Sequence, residues 1–294
     1  MAVYRHQYHR YEGELTRRLR RMQVIPRYAF RRVFRMRIFL VFFVVCFATP
    51  AGAAALIYLT HNLTLLDTFG FRNADLVAID ASFFLRVLTV QGTFAFLLTV
   101  FVGPGIISPD LVNNGLPLYL SRLRPAEYVA GKLSILAILL SLVTWVPLTA
   151  LYFLQAGLQG GDWFQANLRL LAAGFWGSLI WIVFLSLLAL AASAWVRWKP
   201  VAGAAIFGSF LVAAGTGATV NLLFSTYWGD LLNFNRVIDS IWVRLYFPSG
   251  EVPFRIGTVA PQIPISAAWA AMIFACLIFL LLLARKLKAY EVIR

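Results

Sequence analysis

Residues 104–132 read PGIISPDLVNNGLPLYLSRLRPAEYVAGK, a short polar stretch between two long apolar runs. It carries one acid at Asp110, then Gly115, a Leu116/Leu118/Leu120 alternation, Ser121, Arg122, Arg124, Pro125, Glu127, Tyr128 and Lys132. Charges of both signs beside apolar residues on a Pro- and Gly-braced segment suit a polar docking surface rather than bond-making. The end of the stretch approaches a phosphate-binding loop without being one. That motif needs G-x-x-x-x-G-K followed by Ser or Thr, but Ala126 stands at the first Gly and Leu133 follows Lys132. The three histidines, His6, His9 and His61, lie outside the apolar runs, so helix-held haem or a His-based metal site is not expected. Cys46 and Cys276 sit inside apolar runs with no metal-ligand spacing and read as buried thiols. No Ser–His or Cys–His arrangement can be assembled within the runs, which argues against an intramembrane hydrolase. No catalytic, metal or cofactor-binding residue is expected on this chain.

The elements that position this stretch are membrane spans. The chain has 294 residues, 61% hydrophobic and only 13% charged, with a mean hydropathy of +0.78. A soluble domain is about half apolar and about a quarter charged. Six uninterrupted apolar stretches, 38–60, 83–107, 133–154, 170–196, 201–224 and 265–284, each meet the roughly 20 residues needed to cross a bilayer core. Backbone groups in lipid must be satisfied internally, so these are helices. A β-barrel would instead show alternating segments of about ten residues. The expected fold is all-α: a polytopic integral membrane protein with six transmembrane helices.

Lys and Arg placement orients the bundle. Eleven arginines precede residue 38, and Arg122, Arg124, Lys132, Arg197, Lys199, Arg285, Lys286, Lys288 and Arg294 fall on the same side, making twenty of the 26 basic residues. Both termini and the segment 104–132 are therefore expected in the cytoplasm. The net charge of +14 lies beside the spans, where anionic lipid head groups attract it; nothing else supports nucleic acid as a partner. Residues 1–21 form a basic cytoplasmic arm. In 22–37, Arg27, Arg31 and Arg35 recur every fourth residue, with Ile25, Tyr28, Ala29, Val33 and Met36 on the other face. This predicts an amphipathic elbow helix lying in the interface.

Within the six-helix domain, 38–294, the fifth span is the most patterned. Ala205, Ser209, Ala213 and Gly217 form a small-residue ladder, which points to close helix packing, within this chain or against another. The six apolar stretches contain no Asp, Glu, Lys or His, and their one charge is Arg86. Proton- and ion-driven transporters usually need such groups. Thr89, Gln91 and Asn221 are polar enough to line a path, or to hydrogen-bond between helices. In the external segment 225–264, Leu231, Phe234, Ile238, Ile241, Trp242 and Leu245 keep helical spacing opposite Asn233, Arg236, Ser240 and Arg244. This reads as an amphipathic helix resting on the outer leaflet or capping the bundle.

Together these features resemble the transmembrane subunit of ATP-binding-cassette transporters of the type-2 exporter class. The resemblance covers nearly the whole chain, and its specific part is the loop. In that family the loop runs from an acid through Gly-Thr-Leu and a Leu pair to an Arg-Pro, then a Tyr or Leu before Gly-Lys. Asp110 stands at the acid, Gly115-Leu116 at the Gly-Thr-Leu, Leu118 and Leu120 at the Leu pair, and Tyr128 with Gly131-Lys132 at the close. Ser121-Arg122 and Arg124-Pro125 span the Arg-Pro, with Leu123 intervening, and Pro117 interrupts what is often a continuous short helix. The resemblance implies that 104–132 is a coupling loop seated in a separate cytoplasmic ATPase subunit, present in two copies and holding the ATP and Mg²⁺. It further implies a second transmembrane subunit, identical or related, meeting the ladder, and a bacterial cytoplasmic membrane as the location. The acid-free spans lean toward an amphipathic or lipid-like cargo moved outward. The alternative is a membrane subunit that anchors a larger complex without transporting anything.

Overall fold

The structure, a computed structural model, describes residue 26, residues 28–31, 33–62, 78–113, 125–249 and 263–291. Every regular element among these residues is helical. Six helical segments are long and apolar enough to cross a membrane: Phe39–His61, Ala81–Asp110, Ala126–Gln159, Leu168–Trp195, Lys199–Phe224 and Ile265–Lys286. The chain is a multi-pass membrane protein.

Prolines divide three of these segments. The first consists of α1 (Arg37–Cys46) and α2 (Ala48–His61), broken at Phe47. Pro50 lacks the amide that would bond the Cys46 carbonyl four residues back. The second consists of α3 (Ala81–Val102) and α4 (Pro104–Val112), hinged at Gly103. A side chain on Gly103 would lie 2.8 Å from the Ala189 methyl and 2.5 Å from the Thr99 carbonyl oxygen. The third, α5 (Pro125–Val143) and α6 (Trp145–Gln159), breaks at Thr144, where Pro147 withholds its amide from Val143 in the same way.

The short α7 (Gly161–Ala166) leads into α8 (Leu168–Trp195), the centre of the bundle. Its span is 67% buried, against 22% for the first, 28% for the fifth and 17% for the sixth. Those three are peripheral and expose apolar side chains such as Val44, Leu211, Val212, Phe274 and Leu281. The fifth span is α9 (Lys199–Phe224) and the sixth is α11 (Ile265–Glu291).

The described first part of the segment between them, residues 225–249, enters the bundle. Ser225 adopts a left-handed conformation at the end of α9, with φ of 46°, and turns the chain back along that helix. The turn Trp228–Leu231 packs where Gly217 and Gly229 bring their backbones into contact. The Asn221 side chain holds this turn from both ends: its Oδ1 accepts from the Gly229 amide at 2.7 Å, and its Nδ2 donates to Asp230 at 2.9 Å. The chain then starts α10 (Phe234–Tyr246) deep in the bundle. Phe234 meets Phe184, Phe210 and Phe279, residues near the midpoints of α8, α9 and α11. From Phe224 back to Phe210 is fourteen residues, roughly 21 Å of helix against a hydrocarbon core of about 30 Å. Trp242 sits between Gly92 and Gly177, and its indole N–H donates to the Gly177 carbonyl at 2.9 Å. Two glycines on facing spans leave room for one indole, which is why this helix penetrates where a surface helix would rest.

Candidate functional site

The basic ends of the spans converge at one end of the bundle. Ser108 of α4 donates to the Val196 carbonyl at 2.8 Å and to the Ser193 carbonyl at 3.2 Å, closing the open end of α8. Trp195 donates to the Leu282 carbonyl at 3.1 Å, and Lys286 lies over the Trp195 ring at 5.1 Å. Lys199 and Tyr28 line one cavity together with Asp110 and Lys132.

The polar centre of this end is built from two helices. α4 carries Asp110 beyond the Gly103 hinge. α5 presents Tyr128 and Lys132 one turn apart on one face. The Tyr128 hydroxyl donates to Asp110 Oδ2 at 2.7 Å, and Lys132 Nζ pairs with the same oxygen at 2.8 Å. Lys132 Nζ also donates to the Ile106 carbonyl at 2.7 Å and lies 5.5 Å from the centre of the Tyr128 ring. Tyr128 is fully buried, and the Lys132 and Asp110 side chains are 9% and 16% exposed. This is a clamp. It fixes the end of the second span against the start of the third and neutralises both charges there.

The clamp changes how the expected contact residues read. The predicted loop 104–132 is helical over Pro104–Val112 and again from Pro125, so helix reaches into both ends of the segment. Asp110, Tyr128 and Lys132 direct their polar atoms at one another, inside the chain. Glu127 stands half-buried in the first turn of α5, and Pro125 opens that helix. Gly115, Leu116, Leu118, Leu120, Arg122 and Arg124 lie outside the described residues. Sequence reasoning missed Ser108 altogether, and with it the tie between α4 and the end of α8. A lone Ser two residues before Asp110 carries no signal until the third helix is in place.

The three polar span residues have separate surroundings. Gln91 is fully buried and its Nε2 donates to the Cys46 carbonyl at 3.1 Å. That carbonyl is the one Pro50 leaves without its helical partner. Thr89 bonds back to the Leu85 carbonyl at 3.0 Å within α3, and Asn221 holds the turn at Gly229 and Asp230. The ladder is divided. Gly217 is buried against Gly229 of the same chain, Ser209 and Ala213 are half-buried, and Ala205 is exposed. The spans' scarcity of charge is also offset, because α10 brings Arg236 and Asp239, both half-buried, to the bundle from outside the six spans. Among the described residues no three His, Cys, Asp or Glu side chains gather as a metal site would require.

No family model matches this sequence, and no curated protein matches it.

Proposed function

We propose that this chain is the membrane-spanning permease subunit of an ATP-binding-cassette exporter in a bacterial cytoplasmic membrane, with both termini in the cytoplasm. It works with a separate ATPase subunit in two copies and a second transmembrane subunit. The observation that carries this reading is the Asp110–Tyr128–Lys132 clamp at the basic end. Whatever pushes on residues 113–124 pushes on two helix ends locked together, so the force reaches α3 and α5 as a rigid-body motion. A loop anchored on loose helix ends would absorb that motion. Arg122, Arg124 and Glu127 then supply charges for the ATPase contact, while the clamp supplies stiffness.

The test is reconstitution. The purified chain alone shows no nucleotide-dependent thermal shift. Proteoliposomes carrying it with a candidate Walker-motif ATPase subunit hydrolyse ATP, and Arg124→Glu with Glu127→Lys lowers both co-purification and hydrolysis. Tight ATP binding by the chain alone would overturn the proposal. ATPase activity indifferent to the chain and to both changes would instead leave it as an anchoring subunit.

A further inference from the structure

A cavity of about 600 Å³ opens beside the clamp, a size typical of small-molecule sites, roughly 300–1,000 Å³. Its long walls are apolar: Phe39 and Phe42 of α1, Leu98 and Phe101 of α3, and Ile135 of α5. Met36 and Tyr28 form part of its edge. Phe101 is 66% exposed, Tyr28 69% and Met36 55%, so the cavity opens sideways past residues that face the surroundings of the bundle. Among the described residues its charged groups are three: Asp110, Lys132 and Lys199. The first two neutralise each other at 2.8 Å. Lys199 is exposed and has no ion-pair partner among the described residues. Among the described residues the cavity therefore presents one uncompensated positive charge, Lys199, at the end of an apolar trough.

Apolar walls do not hold water well, and an unfilled gap forfeits the contacts of its lining. Beside a membrane the nearest filler is a hydrocarbon chain. A cation at the basic end selects for an anionic head group. We propose that this cavity is a discrete lipid site. One acyl chain of an anionic phospholipid lies along Phe39, Phe42, Leu98 and Phe101, and its phosphate meets Lys199. This goes beyond general attraction of a basic surface to acidic lipid, because it specifies a stoichiometric site with one head-group contact. It does not depend on whether the chain transports anything.

Gly105 provides a variant that spares the fold. It lines the cavity, and a Cβ built there meets nothing within 4 Å, so Gly105→Leu adds bulk at the cavity wall from a position whose first atom has room. The experiment uses the full chain in detergent with a phosphatidylglycerol carrying a photoreactive group midway along one acyl chain. Labelled peptides are mapped by mass spectrometry. Labelling should saturate and centre on the segments around Phe39–Phe42 and Leu98–Ile106. Unlabelled phosphatidylglycerol should compete about fivefold better than phosphatidylcholine, the factor one Lys near an anionic surface supplies. Gly105→Leu should abolish the saturable component, and Lys199→Gln should erase the head-group preference while leaving labelling. The elution and unfolding profiles of Gly105→Leu itself, set beside those of Gly105→Ala and the parent, check that the leucine variant is folded. Uniform labelling over the apolar surface would overturn the proposal, as would saturable labelling unchanged in both variants. Competition by glycerol phosphate alone would make the ligand a soluble phosphate and would equally overturn it. If labelling rises on removing residues 1–21, the arm fills the cavity; if it is lost on dimerisation, a second copy does. Either result would displace the lipid.

Discussion

At the scale of single residues, the polar groups of this protein stitch helices together, and each stitch can be tested by removing one side. Asp110 and Lys132 are both largely buried and share one carboxylate oxygen with Tyr128. Removing one member of a buried pair strands the other and typically destabilises by about 3–5 kcal/mol, whereas replacing both with apolar groups is often neutral. Lys132→Met or Asp110→Leu alone should therefore lower the unfolding midpoint in detergent strongly, and the double variant should recover most of the loss. Additive losses would show that the pair is not coupled. Charge reversal at Asp110 is for the same reason unsuited to testing a docking surface. Gln91 offers a second cycle. Its amide satisfies the Cys46 carbonyl that Pro50 cannot. Gln91→Leu should cost about 1–3 kcal/mol, the penalty of an unmade buried hydrogen bond. In a Pro50→Ala background the helix can supply its own amide, and the same change should become mild. An equal loss in both backgrounds would mean that Gln91 does not act through this carbonyl.

At the scale of elements, α10 is the unusual part. A polar-faced helix of thirteen residues is too short to span, and the facing glycines of α3 and α8 let it enter. A methyl on Gly92 would lie 2.5 Å from the Trp242 ring, and one on Gly177 would lie 3.0 Å from it. Gly92→Leu should dislodge the helix at an over-packing cost of about 1–3 kcal/mol. The readout is solvent reactivity of a cysteine placed at Ser240, which is buried on α10 and should become reactive. Trp242→Ala should loosen the helix by itself, at about 3–5 kcal/mol. Adding Gly92→Leu to Trp242→Ala should then cost little, because the collision partner is gone. If Ser240→Cys stays shielded in Gly92→Leu, the indole is not what seats α10.

At the scale of the whole molecule, α8 is enclosed by its own chain, while the first, fifth and sixth spans are largely uncovered. The fifth span separates two kinds of small residue. Gly217 is pressed on the Gly229 backbone, whereas a side chain at Gly215 meets nothing. Gly217→Leu should therefore destabilise the single chain, since neither backbone can yield. Gly215→Leu should leave its unfolding within about 0.5 kcal/mol of the parent, as surface changes do. If the second subunit sits on the exposed face of α9, Gly215→Leu should lower the cross-linked dimer fraction in membranes. An unchanged dimer fraction would assign that face to lipid. Leu211, on the same helix and 60% exposed, is the control.

The sequence by itself determined the class of this protein and most of its helix positions. Runs of some twenty apolar residues admit one structure in a bilayer, because every backbone amide must be satisfied within its own segment. The breaks at Phe47 and Thr144 were legible in principle too, since Pro50 and Pro147 each leave a carbonyl four residues back without its amide. What only the tertiary structure decided was which polar groups meet. Asp110 and Lys132 look like interface charges in a one-dimensional pattern, and their pairing depends on the Gly103 hinge aiming α4 at α5. The small-residue ladder stated that something approaches closely; that Gly217 meets Gly229 of the same chain follows from the left-handed turn at Ser225. The depth of α10 was invisible for a like reason. Its amphipathic spacing is the same for a helix lying on a bundle and one lying in it. The difference rests on Gly92 and Gly177, more than eighty residues apart in sequence, facing the same indole.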